Sequence, residues 1–302
     1  MAEQTTNLDV LTAVSNRLAD AVERVSSALV LVNARPRLPG SGVVYDSNLV
    51  LTADHVVERE EDITITTHDG RTLPAQFLGR DPASDLAVLK VDDLGLDPAT
   101  PATTPPRVGQ WVLAVGRPTE GGPMASSGIV SALGGPLRTR RGGVLEQYIR
   151  TDATPYPGFS GGALIDTRGE VVGILTTGFG GIALAIPAKL AWSIGGTLAR
   201  HGRIKRGYLG ISSQPVYIPQ SQRAGRAQER GLLIIRVEPG SPAERGGLLM
   251  GDILVSLDGQ PVADADELQP LLSGDRVGRA VPVEVIRGGS VHTLQVTIGE
   301  RQ

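Results

Sequence analysis

Short runs of β-branched and aliphatic residues, separated by Gly, Pro and Asp, fill the chain from about residue 26 to residue 186. Such runs are too short for ordinary helices and have the composition of β-strands. The predicted strands are 28–32, 42–45, 49–52, 63–67, 86–91, 111–115, 128–132, 145–151, 171–176 and 182–186. About ten short strands joined by tight turns predict a barrel or a sandwich.

Helical periodicity flanks this β-rich region. Near the N-terminus, apolar residues recur at three- and four-residue steps, which predicts an amphipathic helix over residues 1–25. They are Leu8, Leu11, Val14, Leu18, Val22 and Val25. We expect this helix to pack on the body of the protein or on a neighbouring subunit, because its polar face is not rich in Lys and Arg. A second helical pattern at 188–200 ends the domain, for which we predict residues 26–200.

A second, smaller unit follows a polar, Gly-flanked linker at residues 201–206. We predict that residues 207–302 form a compact α/β module. Its predicted strands are 208–211, 231–237, 252–257, 281–287 and 292–298, and its predicted helices lie near 242–246 and 264–272. Residues 214–228 are polar and poor in β-branched residues, so they are predicted to be a mobile loop.

Composition excludes several classes of function. A formal net charge of −3 gives no electrostatic reason to expect nucleic acid or an anionic membrane as a partner. The absence of cysteine excludes thiol catalysis, disulfides and thiolate metal sites. No apolar run approaches the ~18 residues of a membrane span. The start of the chain lacks the features of a secretory signal. The sequence as written therefore predicts a cytoplasmic protein, or a periplasmic or extracellular one if the N-terminus is processed.

The segment Gly158-Phe159-Ser160-Gly161-Gly162 places one hydroxyl within a glycine-rich turn. A serine acts as a nucleophile when a base takes its proton and amide donors stabilise the oxyanion that develops on the substrate. Glycine permits positive φ angles and close approach, so the amides of Gly158 and Ser160 could face one oxygen. Taken alone, the segment is equally compatible with a hairpin that carries a surface serine.

Among the four histidines, His55 is the candidate base, because it alone follows an apolar strand. His68, His201 and His292 lie in turns or polar stretches, where solvated imidazoles are usual. A base histidine requires a carboxylate that fixes its tautomer and stabilises the imidazolium. Asp85 fits this role, since it begins an alternating segment that should enter a core.

Other carboxylates compete with Asp85 for this role. Asp54, Asp81 and Asp92 have more turn-like or exposed surroundings. Asp152 is the strongest alternative. Its position eight residues before Ser160 suggests that it braces the nucleophile loop instead.

Three motifs in order resemble the HtrA/Deg family of serine proteases, which have a chymotrypsin-like fold. They are Leu51-Thr-Ala-Asp-His-Val-Val57, Asp81-Pro-Ala-Ser-Asp-Leu-Ala-Val-Leu89, and Thr151-Asp-Ala153 followed by Pro157-Gly-Phe-Ser-Gly-Gly-Ala-Leu164. The resemblance extends from about residue 27 to residue 299. It implies a mainly β fold: a chymotrypsin-like double β-barrel protease domain followed by a small α/β PDZ domain.

The same resemblance implies a role for each residue of the site. His55 is the general base and then the general acid, Asp85 orients it, and Ser160 forms the acyl-enzyme. The amides of Gly158 and Ser160 form the oxyanion hole, and no metal or organic cofactor is implied. The specificity pocket is expected to be lined by Thr154, Ile174, Leu175, Ala183 and Ala185. The neutral floor at residue 154 predicts cleavage after small or medium aliphatic residues.

The second unit resembles a PDZ domain in the arrangement of this family. Its segment Tyr208-Leu-Gly-Ile211 matches the carboxylate-binding loop. The amides of Leu209, Gly210 and Ile211 are expected to hold a C-terminal carboxylate while the peptide adds as a strand. The peptide's side chains would meet the helix that carries Leu268, Leu271 and Leu272. The alternative is a simple strand start with a glycine turn.

The resemblance implies an endopeptidase for protein quality control, with unfolded polypeptides and C-terminal peptides as partners, and a trimer to which the N-terminal helix contributes. Arg138, Arg140 and Arg141 lie in the loop that relays the state of the PDZ domain in this family. Two residues depart from the family pattern, because Phe159 replaces the usual Asn and Ala163 a frequent Pro. The oxyanion hole is therefore expected to need a ligand to form. The competing hypothesis is a PDZ-containing chaperone without catalytic activity.

Overall fold

The computed structural model describes residues 2–138, 144–178, 183–204, 207–272 and 276–300. These residues belong to two compact units, Met1–Ile204 and Lys205–Gln302. The first unit is almost entirely β-structure with a helix at each end, and the described residues of the second form a main sheet, a separate two-stranded sheet and two short helices. Each unit has its own hydrophobic core.

The first six strands of the first unit close into an antiparallel barrel, which we call barrel 1. Its strands are β1 (Leu29–Asn33), β2 (Gly40–Asp46), β3 (Leu49–Ala53), β4 (Ile63–Thr66), β5 (Thr72–Asp81) and β6 (Leu86–Lys90). They pair in the order β1-β2-β3-β6-β5-β4, and β4 closes the ring by pairing with β1. Closure leaves no unpaired edge, so the short strands are all hydrogen-bonded on both sides.

A second antiparallel barrel, barrel 2, follows in the chain. Its strands are β7 (Trp111–Thr119), β8 (Gly122–Gly134), β11 (Tyr148–Thr151), β12 (Ala163–Ile165), β13 (Val171–Thr176) and β14 (Leu184–Pro187). The short strands β9 (Leu137–Arg138) and β10 (Val144–Leu145) pair only with each other. The ring order β7-β8-β11-β14-β13-β12 repeats that of barrel 1, strand for strand. The predicted mainly β fold with two barrels is confirmed.

The two barrels share part of their apolar core. One cluster joins barrel 1 residues such as Leu51 and Val88 to Ile165, Ile174 and Ile186 of barrel 2. A separate cluster fills the interior of barrel 2 and includes Phe159. The site residues described below therefore rest on two cores that meet along one side of barrel 2.

Helices cover the ends of the first unit. Helix α1 (Ala2–Ser26) packs through its last turns, where Ala21 and Val25 are buried, while Val10 and Leu11 are exposed. Helix α2 (Ala188–His201) ends at Gly202, whose φ of 72° is a common left-handed helix terminus. The expected pattern of Leu8 through Val25 is therefore buried only at its C-terminal end among the side chains that the structure describes.

The second unit is built on one five-stranded antiparallel path. Its strands are β16 (Ile211–Tyr217), β17 (Arg230–Val237), β18 (Ile253–Leu257), β20 (Ala280–Arg287) and β21 (Ser290–Thr297), in that order across the sheet. Shorter elements are β15 (Gly207–Tyr208), β19 (Gln260–Pro261), β22 (Gly299–Glu300), α3 (Pro242–Arg245) and α4 (Ala265–Leu271). Strand β16 is an edge strand, and it contains Pro215.

Two predictions about strands were wrong, and two strands of the barrels were missed. The predicted strand 208–211 is interrupted, because β15 ends at Tyr208 and β16 begins at Ile211. Residues 214–217 are not part of a mobile loop, because β16 continues to Tyr217 in register with β17. Strand β5 was missed, since Pro74 and polar residues conceal its alternation. Strand β12 was missed because it has only three residues, which is too short for any periodicity to be detected.

Candidate active site

His55 and Asp85 come from two loops at the same end of barrel 1. His55 lies in a single 3₁₀ turn, Asp54–Val56, which directly follows β3. Asp85 directly precedes β6 and has a φ of 55°, so it lies in a left-handed turn rather than opening the strand as predicted. Aspartate tolerates this conformation better than most residues do. The two chain reversals bring the imidazole and the carboxylate together.

The carboxylate of Asp85 holds His55 at two points. Its Oδ2 lies 2.7 Å from Nδ1 of His55, and its Oδ1 accepts a hydrogen bond from the backbone N–H of His55 at 3.0 Å. Because the carboxylate accepts a hydrogen bond from Nδ1, the neutral imidazole carries its proton on Nδ1. Nε2 is then unprotonated and can accept a proton from Ser160. Asp85 is only 5% exposed, and the His55 side chain is 21% exposed.

Ser160 completes the constellation from barrel 2. It lies in the loop between β11 and β12, and its Oγ is 3.0 Å from Nε2 of His55. This distance is that of a hydrogen bond along which the serine proton can pass to the ring. Ser160 is only 6% exposed. The structure thus brings the predicted His55, Asp85 and Ser160 together in one line of contacts.

The end of β13 and the turn after it support the Asp85 oxygen that also contacts His55. The hydroxyl of Thr176 donates a hydrogen bond to Oδ2 of Asp85, and the N–H of Gly178 donates to that hydroxyl at 3.0 Å. A Cβ on Gly178 would lie 2.7 Å from the same Oδ2. These residues were missed by the sequence analysis, because a threonine at a strand end carries no signal of such a contact.

A further hydroxyl contacts the nucleophile itself. Thr177 Oγ1 lies 3.1 Å from Ser160 Oγ, and either oxygen can be the donor. Ser160 therefore has two neighbours within hydrogen-bond distance, one of which is His55. Adjacent residues of one turn thus reach two members of the constellation, Thr176 reaching the carboxylate and Thr177 the serine.

The backbone of the nucleophile loop leaves two amides available. Phe159, Gly161 and Gly162 donate their N–H groups to backbone carbonyls within or beside the loop. The N–H groups of Gly158 and Ser160 donate to no atom in the part of the chain that the structure describes. These are the two donors that the sequence analysis assigned to an oxyanion hole.

Glycine is required at two positions of this loop. Gly158 has a φ of +86°, and a Cβ there would lie 2.5 Å from Cβ of Pro118. Gly161 has a φ of +85°, and its Cβ would lie 2.1 Å from the backbone oxygen of Ser41. Both the left-handed conformation and the close packing exclude larger residues.

Phe159 anchors the loop by burial. Its side chain is fully buried in the apolar core of barrel 2, and its ring packs edge-on against Tyr156 with centroids 5.4 Å apart. A Cβ at Gly116 would lie 2.8 Å from the ring, so the ring fits against bare backbone. Apolar packing occupies the place where the family pattern has a polar side chain.

The five residues predicted to line the specificity pocket do not share one surface. Ile174 and Leu175 are consecutive in β13 and therefore point to opposite faces. Ile174 is buried in the core shared by the barrels, whereas Leu175 and Ala185 are buried inside barrel 2. Ile174 is therefore a core residue and not part of such a pocket. Thr154 and Ala183 remain accessible.

The competing carboxylates have other partners. Asp152 Oδ1 accepts the N–H of Ile129 in β8 at 2.6 Å, which ties the nucleophile loop to the neighbouring strand. Asp81 accepts the hydroxyl of Ser84 at 2.6 Å. Asp54 pairs with Arg80 at 3.2 Å. None of these contacts involves the imidazole of His55.

In the second unit, the segment Tyr208 to Ile211 forms a tight loop before the edge strand. Gly210 has a φ of +81°, and a Cβ there would lie 2.2 Å from Cβ of Ser241. The carbonyls of Leu209 and Gly210 accept from Ala243 and Glu238, whereas their N–H groups donate to no described residue. In the core of this unit, Leu209, Leu268 and Leu272 are buried, and the partly buried Ile211 and Leu271 pack against them.

Three further expectations concern arginines, metals and membranes. Arg140 and Arg141 lie outside the described residues, and Arg138 ends β9. Among the described residues, no group of His, Asp and Glu side chains could hold a metal ion. No helix within the same residues is long and apolar enough to cross a bilayer.

Family models match both units of the chain. A trypsin-like peptidase domain matches residues 40–174, and a PDZ domain matches residues 207–298. The serine endoprotease DegS of Escherichia coli K12 is 36% identical over 302 aligned positions, and the match covers 94% of this chain and 84% of DegS. The chain belongs to the HtrA/Deg family of serine endoproteases. The resemblance found in the sequence is thereby confirmed.

Other relatives and solved structures agree with this assignment. A protein of Rhizobium meliloti named as a probable periplasmic DegP-like serine endoprotease is 36% identical over 274 aligned positions, and the match covers 88% of this chain but 54% of that protein. The structure of the HtrA-type protease AlgW with a decapeptide superposes with a TM-score of 0.78 at 31% identity, covering 94% of this chain and 99% of AlgW. A serine endoprotease from Yersinia pestis gives a TM-score of 0.77 at 33% identity, covering 94% of this chain and 98% of the other.

Proposed function

We propose that this HtrA/Deg member cleaves peptide bonds of unfolded or damaged proteins through His55, Asp85 and Ser160. The observation that carries the proposal is the continuous line of contacts from Asp85 Oδ2 through the imidazole to Ser160 Oγ, at 2.7 Å and 3.0 Å. Distances of this size permit proton transfer from the serine as it attacks a carbonyl carbon.

In the first half of the reaction, Ser160 Oγ bonds to the substrate carbonyl carbon while its proton passes to Nε2 of His55. The oxyanion accepts hydrogen bonds from the N–H groups of Gly158 and Ser160. Asp85 stabilises the imidazolium but does not take its proton. When the C–N bond breaks, the imidazolium donates that proton to the leaving amine, and the acyl-enzyme remains.

In the second half, His55 takes a proton from water, which attacks the acyl carbon. Collapse of this second intermediate returns the proton to Ser160 and releases the carboxylic acid. No step uses a metal or an organic cofactor. We do not expect Phe159 to hinder these steps, because its ring is buried in the apolar core of barrel 2.

Thr154 and Ala183 remain the residues that we propose to line the primary specificity pocket. Leu175 and Ala185 are buried behind this surface, inside barrel 2. The Thr154 hydroxyl and the three apolar side chains carry no charge. They favour small or medium aliphatic residues before the cleaved bond, since none of them could pair with a buried Lys or Arg. A peptide library in which Lys or Arg is preferred at that position would overturn this specificity.

We further propose that the second unit captures the C-termini of polypeptides. The N–H groups of Leu209 and Gly210 donate to no described residue. Ile211 opens an edge strand, and its apolar side chain and that of Leu271 are only partly buried. These are the three requirements for a peptide that adds to a sheet through its backbone and ends in a carboxylate. AlgW was solved with peptides, which is consistent with this role. We also propose that the protein acts in protein quality control in the periplasm and that it assembles as a trimer.

The deciding experiment compares the protein with its Ser160→Ala variant on unfolded casein, with and without C-terminal peptides. Fragments formed by the wild type and not by the variant are expected. An inactive wild type that nevertheless prevents aggregation of unfolded protein, with or without peptides, would favour a chaperone instead. Labelling of Ser160 by a fluorophosphonate, followed by mass spectrometry, independently reports whether the hydroxyl is activated.

A further inference from the structure

Ser41, in strand β2 of barrel 1, contacts the nucleophile loop through both its backbone and its side chain. Its N–H donates to the carbonyl of Ser160 at 3.0 Å, and its hydroxyl donates to the carbonyl of Gly158 at 2.7 Å. The side chain is completely buried. One residue of barrel 1 thus holds two carbonyls of a loop that belongs to barrel 2.

The contacts of Ser41 fix its own position as well. Its hydroxyl accepts the N–H of Arg117 at 2.8 Å, and its carbonyl accepts the hydroxyl of Thr52 at 2.7 Å. Arg117 is itself tied to barrel 1, because its Nε donates to the carbonyl of Leu29 at 3.0 Å. The hydroxyl therefore has a defined donor and a defined acceptor, and it cannot rotate without leaving a buried group unpaired.

The peptide geometry links these contacts to the oxyanion donors. The N–H of Ser160 belongs to the peptide between Phe159 and Ser160. The peptides on either side of it carry the carbonyls of Gly158 and Ser160, and both of those carbonyls bond to Ser41. Because peptide units are planar, holding a carbonyl fixes the direction of the N–H in the same unit. The donor peptide is thus flanked by two peptides that cannot rotate.

We propose that Ser41 is a positioning residue for the oxyanion hole, acting through the hydroxyl that holds the Gly158 carbonyl. This inference rests on the proposed role of the Gly158 and Ser160 amides. The backbone contact alone would persist in any residue at position 41, so the hydroxyl is the part that a substitution can remove. Without it, the peptide after Gly158 is hydrogen-bonded only through the N–H of Phe159, which donates to the carbonyl of Tyr156, and the two donors are no longer fixed on one target.

The test uses Ser41→Ala in the full-length protein, measured with a peptide substrate and with a peptidyl boronate that forms a tetrahedral adduct with Ser160. We expect kcat/KM to fall by about 10- to 100-fold, a loss up to that of removing one oxyanion donor. KM should change little. Affinity for the boronate should fall in parallel with kcat/KM, because the adduct places an oxygen in the hole.

Two further variants separate positioning from general destabilisation. Ser41→Thr keeps the hydroxyl and should restore most of the activity. Thr67→Val removes another buried hydroxyl, one that hydrogen-bonds only within the β4–β5 turn. This variant should have a lower melting temperature but an unchanged affinity for the boronate. If Ser41→Ala does not fold, Ser41→Cys keeps the shape with a weaker donor and should give an intermediate loss.

The outcomes distinguish this inference from the proposed function. If the wild type cleaves, and Ser41→Ala retains full kcat/KM and boronate affinity, the positioning role is wrong while the protease stands. Equal losses in Ser41→Ala and Thr67→Val would also refute it. If neither the wild type nor any variant cleaves in a Ser160-dependent manner, the proposed protease function itself fails.

Discussion

The two barrels have the same strand order but contribute different chemistry to the site. In each, the loop between the third and fourth strands reaches the centre: His55 comes from barrel 1 and Ser160 from barrel 2. The loops before the sixth strands also correspond, and they carry Asp85 and the turn at Thr176. Barrel 1 supplies an imidazole and a carboxylate, whereas barrel 2 supplies the hydroxyls of Ser160, Thr176 and Thr177 and a set of backbone groups.

This difference teaches where each half is sensitive. In barrel 1 the function resides in side-chain atoms, so an isosteric change of one atom should suffice to abolish it. In barrel 2 the proposed function depends on the Ser160 hydroxyl and also on the path of the backbone, so the addition of a methyl group should be as harmful as the loss of a polar group elsewhere. Four substitutions test this contrast.

The largest effect is expected from Asp85→Asn. The amide cannot accept from Nδ1 in the same way, so the ring adopts the wrong tautomer, and kcat should fall by about 10⁴-fold. Steady-state kinetics on a peptide substrate measure it. Asp152→Asn in barrel 2 is the matched control and should lose less than about 10-fold, since it braces only the backbone of Ile129. Equal losses in both variants would break the contrast.

The next effect tests the backbone of barrel 2. Gly158→Ala places a methyl group against Pro118 at a φ of +86°, and kcat/KM should fall by about 10²- to 10³-fold as one donor is displaced. Gly109→Ala is the matched control, because Gly109 has the same φ and nothing within 4 Å of its Cβ. The control should keep its activity and lose about 1 kcal/mol of stability. Comparable activity in the two variants would argue against a positioned donor at Gly158.

A smaller effect is expected from the anchor of the loop. Phe159→Leu loses the edge-on contact with Tyr156 and leaves a small cavity, so the free energy of unfolding should fall by about 1 to 3 kcal/mol. Activity per intact active site should fall several-fold as well. Ile65→Val in the core of barrel 1 should cost about 1 kcal/mol without changing kcat/KM. Denaturant unfolding and active-site titration distinguish the two.

The smallest effect concerns Tyr45 in β2 of barrel 1. Burial raises the pKa of Tyr45 to about 12, with the neighbouring Asp46 adding to the shift. The folded state therefore keeps this phenol neutral while the unfolded state ionises near 10, so its contribution to stability is complete below pH 10 and is lost as the pH rises toward 12. Its hydroxyl has no hydrogen-bond partner among the described residues.

Tyr45→Phe should accordingly be as stable as the wild type at pH 7 and decline less steeply between pH 10 and pH 12. Unfolding experiments at several alkaline pH values, with tyrosine absorbance recorded in parallel, measure both. An identical alkaline decline in the two proteins would show that Tyr45 does not carry this dependence.

Much of the fold was predictable because its signals are local. The β-branched runs identified most strands of both barrels, and the motifs around His55, Asp85 and Ser160 identified the residues that meet. The strand order shared by the barrels left no repeat in the sequence, because many sequences satisfy the same alternation of buried and exposed positions.

What the sequence did not reveal depends on contacts between distant residues. The left-handed turn at Asp85, the hydroxyl of Thr176 and the hydrogen bonds of Ser41 each require the other barrel or loop to be in place. From the sequence, Phe159 could be recognised only as the loss of the polar side chain that is usual at this position. Its burial was not predictable, since the core that accepts its ring is made by residues from several strands. Pairing across the chain, rather than local preference, decides such details.

Strand β16 is open along its outer edge and contains Pro215. A proline is tolerated in an edge strand where its missing N–H faces away from the neighbouring strand, which here is β17. A peptide that extends the sheet can therefore form a regular ladder only with residues 211–214. For the proposed capture of C-termini, the proline limits backbone pairing to the last few residues of the bound peptide. It also blunts the edge against pairing with a second sheet, and so protects against aggregation.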